Sequence, residues 1–231
     1  MLQIDHWRHV FKLDPDKEIT DEAIHSLCNS GTDAILVGGT TNITYEKTRS
    51  LLERLRPYSL PLILEVSSLD SIVGGFHGYF LPLVLNAGKE EWIFSPYIQG
   101  LKEYGSLMEW EEVFTEGYVV CNPDCDVARL TESRIPHSSE DMMAYGRLAD
   151  RVLKLPVLYI EYSGMYGNPE WVRSVYHGMK DTLLFYGGGI RSEEEAREMS
   201  DWADCIVVGN IIYEDLQIAL KTVKGAKEIE S

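Results

Sequence analysis

The sequence predicts an α/β chain folded as a modified (β/α)8 barrel, a TIM barrel whose third helix is missing or reduced. Three observations predict it. Short apolar runs alternate with amphipathic segments from end to end of the 231 residues, the runs number eight, and glycine-rich joints follow the seventh and the eighth. Eight strand–helix alternations in about 250 residues is the count that such a barrel needs. A doubly wound sheet shares the alternation and stands as the competing architecture.

The elements follow in order. A strand at 9–13 leads to a helix at 21–29, and a strand at 34–37 to a helix at 45–55. The third strand, 62–66, is separated from the fourth, 79–85, by only twelve residues that include Gly74, Gly75 and Gly78. No full crossover helix fits there, so a gap in the outer ring is expected. The fifth strand, 118–121, runs into residues 122–136, whose composition reads as a mobile loop, and a helix follows at 138–153. The strand at 157–161 precedes a helix at 170–178, and the strand at 182–185 precedes a helix at 193–201 that opens on Glu193, Glu194 and Glu195. The last strand, 205–208, leads to a helix from 213 to about 223. Most of the strands are short, continuous runs of β-branched or aromatic residues, as expected of parallel strands buried on both faces. No linker divides the chain, so residues 1–231 read as one domain.

Composition narrows the function. Apolar residues make up 45% and charged residues 25%, an ordinary soluble globular balance. A net charge of −16 argues against nucleic acid and against docking on an anionic membrane surface. An anionic substrate would then need backbone N–H groups, a few placed cations or a metal ion. The start, Met1-Leu-Gln-Ile-Asp-His-Trp7, shows no basic region followed by an apolar run, so no signal peptide is expected. The longest apolar-rich stretch, 80–85, is far short of the ~20 residues of a membrane span. Cys28, Cys121, Cys125 and Cys205 fit no disulfide framework, and Cys121-Asn-Pro-Asp-Cys125 lacks the further ligands of a zinc site. A cytoplasmic protein is expected.

Barrel active sites lie at the C-terminal ends of the strands. There the chain places Lys12-Leu-Asp-Pro-Asp16, Gly38-Gly-Thr-Thr-Asn42, Tyr159-Ile-Glu-Tyr-Ser-Gly164, Gly187-Gly-Gly-Ile190 and Gly209-Asn-Ile-Ile-Tyr213. Loops after strands seven and eight typically build a barrel's phosphate site, and glycine lets backbone N–H groups approach phosphate oxygens. Gly187–Gly189 and Gly209-Asn210 stand where that construction needs them, although tight turns alone would also use glycine. Lys12 points an ammonium at the mouth, where it can meet a phosphate. Asp14, with Thr40 across the gap, makes a plausible oxygen site for Mg²⁺, which takes few protein ligands and keeps water or phosphate oxygens. Glu161 reads either as a partner for a nearby lysine or as a ligand or base for substrate hydroxyls.

These motifs resemble the geranylgeranylglyceryl phosphate synthase family, and most closely its bacterial, heptaprenyl-transferring branch. The resemblance rests on Lys12-x-Asp14, Gly38-Gly39-Thr40, Tyr159-Ile-Glu-Tyr-Ser-Gly164, Tyr186-Gly-Gly-Gly-Ile190 and Val208-Gly-Asn210, and covers essentially the whole chain. It implies a barrel that has lost its third helix, a homodimer and a Mg²⁺ requirement. It implies transfer of a polyprenyl group from its diphosphate to the 3-hydroxyl of sn-glycerol 1-phosphate, releasing diphosphate and forming an ether-lipid precursor. Carried over residue by residue, Lys12, Tyr159, Ile160, Glu161, Tyr162, Ser163, Gly164, Gly189, Gly209 and Asn210 would bind sn-glycerol 1-phosphate. Asp14 and Thr40 would hold Mg²⁺. On physical grounds the catalysis would then fall to Asp14, whose Mg²⁺ would neutralise the diphosphate leaving group, and to Glu161, which would orient the attacking hydroxyl.

A long prenyl chain also needs an apolar groove leaving the mouth, and the gap left by the third helix offers room beside strands three and four. Phe76, Tyr79, Tyr97 and Tyr104 are placed to line it, and Gly100, having no side chain, would leave its far end open. Two other readings use the same residues. A phosphate-binding isomerase of sugar or indole phosphates would share the strand seven and eight glycines but would not need the metal site. A non-catalytic phosphometabolite-binding protein would show no turnover.

Overall fold

The computed structural model describes residues 2–228. Eight parallel strands close into a barrel in sequence order: β1 (His9–Leu13), β2 (Ala34–Val37), β3 (Leu62–Glu65), β4 (Gly78–Val84), β5 (Val113–Val120), β6 (Val157–Glu161), β7 (Leu183–Gly187) and β8 (Cys205–Val208). The seam is sealed by parallel pairing of β1 with β8. Closure in sequence order replaces the doubly wound alternative. The helices are α1 (Asp21–Cys28), α2 (Tyr45–Leu55), α3 (Ser95–Tyr104), α4 (Asp126–Thr131), α5 (Ser139–Arg147), α6 (Pro169–Gly178), α7 (Glu193–Ser200), α8 (Ile211–Glu214) and α9 (Leu216–Lys227).

Between β3 and β4 lies only a single 3₁₀ turn, Leu69–Ser71. The third outer helix is therefore absent, as the twelve-residue interval predicts. Elsewhere the alternation of side chains along each strand sorts apolar residues into two layers. Phe11, Leu13, Ile35, Val37, Leu64, Val119, Ile160 and Leu184 face the helices. Val10, Leu36, Ile63, Phe80, Tyr118, Tyr159, Phe185 and Val207 fill the barrel. Ile4 and Trp7, just ahead of β1, join this inner layer.

Helix starts are explained by local capping. Thr20, Thr44, Ser138, Ser192 and Asp215 each accept a backbone N–H of the first turn through the side-chain oxygen. Among the described residues no helix is long and apolar enough to cross a membrane.

Several expectations need correction. Residues 122–136 contain α4, with Ala128 and Thr131 buried and the Cys125 thiol capping its start, rather than a loop throughout. The fifth strand begins at Val113, five residues earlier than read, because Glu116 and Gly117 interrupt the apolar run that would reveal it. The helix expected at 138–153 is α5 followed by a π-helical turn, Leu148–Leu153. The last helix splits at Asp215, whose carboxylate accepts the Ile218 N–H and starts α9 afresh. α3 is missing from the sequence reading altogether. None of its described residues is fully buried, and its inward positions Tyr97, Gly100 and Tyr104 are only half-buried, so its apolar stripe is weak.

Candidate active site

At the C-terminal end of the barrel, the strand ends surround a polar cavity of about 130 Å³. Lys12, Asp14, Thr40, Tyr159, Glu161, Ser163, Gly164, Gly189, Gly209 and Asn210 all line it. Ile160 and Tyr162 do not. They alternate outward and pack in the layer beneath the helices. Strand periodicity of two separates these groups.

Lys12 crosses the barrel instead of resting beside the β7 and β8 loops. Its ammonium donates to both carboxylate oxygens of Glu65, at 2.8 and 2.7 Å, and lies 5.9 and 5.5 Å from the ring centres of Tyr118 and Tyr159. Burial opposes the Lys12 charge most strongly, but Glu65, with Glu161 and Glu116, holds its pKa above the ordinary value. The lysine is therefore an ammonium at neutral pH. Its carboxylate partner is Glu65, not Glu161.

Glu161 ends β6 and is buried. One oxygen accepts the Tyr118 hydroxyl and the other accepts the Ser163 N–H. The Tyr118 ring stacks on Tyr159 with centroids 4.8 Å apart and planes 5° from parallel. These contacts fix where the carboxylate points. The Ser163 carbonyl is in turn held by the Asn122 amide at 2.5 Å.

Asp14 follows β1, and its pKa is raised, chiefly by burial. Its Oδ1 accepts the Asp16 N–H at 2.9 Å, forming a small turn that aims the carboxylate. The carboxylate lies against Gly39, where an added Cβ would come 2.7 Å from Asp14 Cγ. That close approach brings Asp14 against the loop carrying Thr40. One carboxylate and one hydroxyl, open to the cavity, are a donor set that suits Mg²⁺ completed by water and substrate oxygens. Among the described residues, no three His, Cys, Asp or Glu side chains gather to hold a metal ion.

The glycine run after β7 is crowded by the protein itself. A Cβ on Gly187 would meet the Tyr159 hydroxyl at 1.8 Å, and one on Gly188 would meet Tyr162 Cβ at 2.3 Å. Gly189 adopts φ +54°, and a Cβ there would fall 2.2 Å from the Met165 carbonyl carbon and the Tyr166 nitrogen. The segment after β6 thus passes directly over the triplet.

Beside the mouth a second, larger cavity of about 550 Å³ runs along β3 and β4 beneath α3. Tyr79, Tyr97, Gly100 and Tyr104 line it, together with Leu69, Ile72 and Leu81. Tyr79 donates its hydroxyl to the Val73 carbonyl at 3.2 Å and Tyr97 to the Leu81 carbonyl at 2.6 Å, so polar tips are tied to backbone and the rings remain to form an apolar wall. Phe76 stands one layer back, its ring 6.2 Å from that of Tyr79 at 71°. Gly39, Thr40, Tyr118 and Val127 line both cavities, so the mouth and the groove meet there.

Sequence reading missed five residues. Lys17 and Arg191 add two cations to the mouth, each held in place, Lys17 by Asn210 Oδ1 at 3.0 Å and Arg191 by Glu214 at 2.8 Å. Arg191 lies two residues past the glycine triplet, after Ile190, which was a usable signal. Glu65, Glu116 and Tyr118 carried none, because inner-face residues of strands show their grouping only once the barrel closes.

Residues 2–227 match the PcrB family. A heptaprenylglyceryl phosphate synthase from Brevibacillus brevis is 51% identical over 227 residues, covering 98% of this chain and 98% of that protein. The solved structure of wild-type GGGPS from Thermoplasma volcanium superposes with a TM-score of 0.86 at 25% identity, covering 98% of this chain and 94% of that one. The (S)-3-O-geranylgeranylglyceryl phosphate synthase of Thermoplasma acidophilum, solved with sn-glycerol 1-phosphate, gives the same TM-score at 24% identity, over 96% and 93% of the two chains, a likeness of fold. Matched along almost its entire length and sharing about half its residues with a relative of equal extent, this chain belongs to the PcrB family, that of the heptaprenylglyceryl phosphate synthases.

Proposed function

We propose that the chain transfers a long polyprenyl group, of the heptaprenyl class, from its diphosphate to the 3-hydroxyl of sn-glycerol 1-phosphate. The observation that carries this reading is the meeting of a polar mouth with an apolar groove at Gly39, Thr40, Tyr118 and Val127. A sugar- or indole-phosphate isomerase has no use for a groove of about 550 Å³ with tyrosine walls. The heptaprenyl length is supported by the name of the 51%-identical relative.

In this reading the phosphate of sn-glycerol 1-phosphate lies against the backbone of Gly189, Gly209 and Asn210. Lys12, Lys17 and Arg191 supply positive charge that an acidic chain otherwise lacks. Asp14 and Thr40 would hold Mg²⁺, which when bound would offset the charge gathering on the diphosphate leaving group. Glu161, fixed by Tyr118 and Ser163, orients the 3-hydroxyl and takes its proton as the new carbon–oxygen bond forms. The allylic carbon–oxygen bond to diphosphate breaks in the same event. Positioning turns a two-substrate encounter into a local one. The reading includes a homodimer, as the family resemblance implies, and a cytoplasmic setting, which four free, buried cysteines suit.

Labelled heptaprenyl diphosphate tests it. Label should move into an ether phosphate only when sn-glycerol 1-phosphate and Mg²⁺ are both present, and chelation should stop it. Label that stays in the donor under all conditions would refute the reading.

A further inference from the structure

We infer that Glu65 is a positioning residue for this transfer, fixing the Lys12 ammonium at the passage between mouth and groove where the two substrates meet. The inference rests on the function proposed above. Lys12 belongs to the wall of the mouth and Glu65 to the wall of the groove, so their paired hydrogen bonds span the passage. A lysine ammonium is a point charge on a flexible four-carbon stem, and without a partner it has no preferred place. Here the bidentate contact and the faces of Tyr118 and Tyr159 leave it one. Two of its three N–H donors go to Glu65, leaving one for a substrate oxygen.

Glu65 is itself braced. It ends β3 in register with Phe80 of β4, and a Cβ on Gly38 would lie 2.9 Å from its own Cβ. The glycine at the end of β2 therefore lets the β3 end close in toward Lys12. Glu65 does not reach for solvent, since its side chain is only 7% exposed. Its carboxylate acts through the lysine.

Glu65→Gln, Lys12→Met and the double variant test this, each assayed for kcat and for KM of sn-glycerol 1-phosphate, with thermal unfolding alongside. Glu65→Gln should lower kcat/KM about 10- to 100-fold, the range for groups that orient a ligand-holding side chain, mainly through KM. Adding Glu65→Gln to Lys12→Met should cost no further activity. The double variant should nevertheless unfold at a higher temperature than Lys12→Met, because it no longer buries an unpaired carboxylate. Losses that multiply, or wild-type kinetics in Glu65→Gln, would overturn the inference while leaving the transferase reading intact. A wild-type chain with no turnover would overturn both.

Discussion

At the mouth of the barrel the loops after β7 and β8 both present glycine, and the two do so on different terms. An added Cβ on Gly189 would fall 2.2 Å from backbone atoms of Met165 and Tyr166, at φ +54°, whereas on Gly209 the nearest atom would be the Lys12 carbonyl oxygen at 3.6 Å, an ordinary contact. The fold requires glycine after β7 whether or not anything binds. After β8 it does not. Gly209 lines the open cavity with room left beside its backbone, and the Asp14 carboxylate lies at the same cavity. The phosphate reading therefore leans on the β8 loop more than on the triplet that first suggested it.

The largest effect separating the two regions is expected at Asp14. Asn at that position can still accept the Asp16 N–H, so the turn and the fold should survive. Turnover should fall about 100-fold or more, the scale of losing one preorganised electrostatic stabiliser. Near wild-type rates at ordinary Mg²⁺ would remove Asp14 from the metal site.

Alanine at the two glycines comes next. Gly189→Ala should destabilise by about 1–3 kcal/mol from its left-handed backbone alone, with more from the displaced segment after β6. Gly209→Ala should unfold within about 0.5 kcal/mol of wild type yet raise KM for sn-glycerol 1-phosphate. Denaturant melts and steady-state kinetics on both variants decide it. Equal stability losses would erase the contrast, and an unchanged KM in Gly209→Ala would leave the β8 loop without a ligand.

A smaller effect, deeper in the barrel, asks the same question of Glu116. It is fully buried on the inner face of β5, and neither carboxyl oxygen has a hydrogen-bond partner. Burial, reinforced by Glu65 and Glu161 and only partly offset by Lys12, pushes its pKa well above the ordinary 4.5. The folded chain keeps this proton while the unfolded chain releases it above about pH 4.5, so stability falls as pH rises toward the folded value. Glu116→Met should therefore stabilise by about 1–3 kcal/mol near neutral pH, with a gain that grows as pH rises above the ordinary 4.5. A pH-independent difference in urea melts would mean that Glu116 is not protonated in the folded chain.

How much of this was legible in sequence follows from what each feature depends on. Strand ends such as Val157–Glu161 and Cys205–Val208 were read to the residue, because continuous apolar runs and following polar residues are local signals. The absent third helix was legible from chain length alone. The start of β5 was not, because Glu116 sits inward where an apolar residue is the rule. The Lys12–Glu65 pair joins residues 53 apart, and only closure of β1, β2 and β3 brings them together. The crowding over Gly189 comes from a segment more than twenty residues earlier and had no local trace.

The central claim is that one chain holds a polar glycerol-phosphate mouth open onto a groove for a long prenyl chain. The most direct test supplies the wild-type chain with sn-glycerol 1-phosphate, Mg²⁺ and an equimolar mixture of prenyl diphosphates of increasing length, and identifies the product by mass spectrometry. The account predicts a glyceryl ether phosphate dominated by the heptaprenyl-class donor. A mixture with no ether product, or one in which short donors are used in preference to long ones, would contradict it.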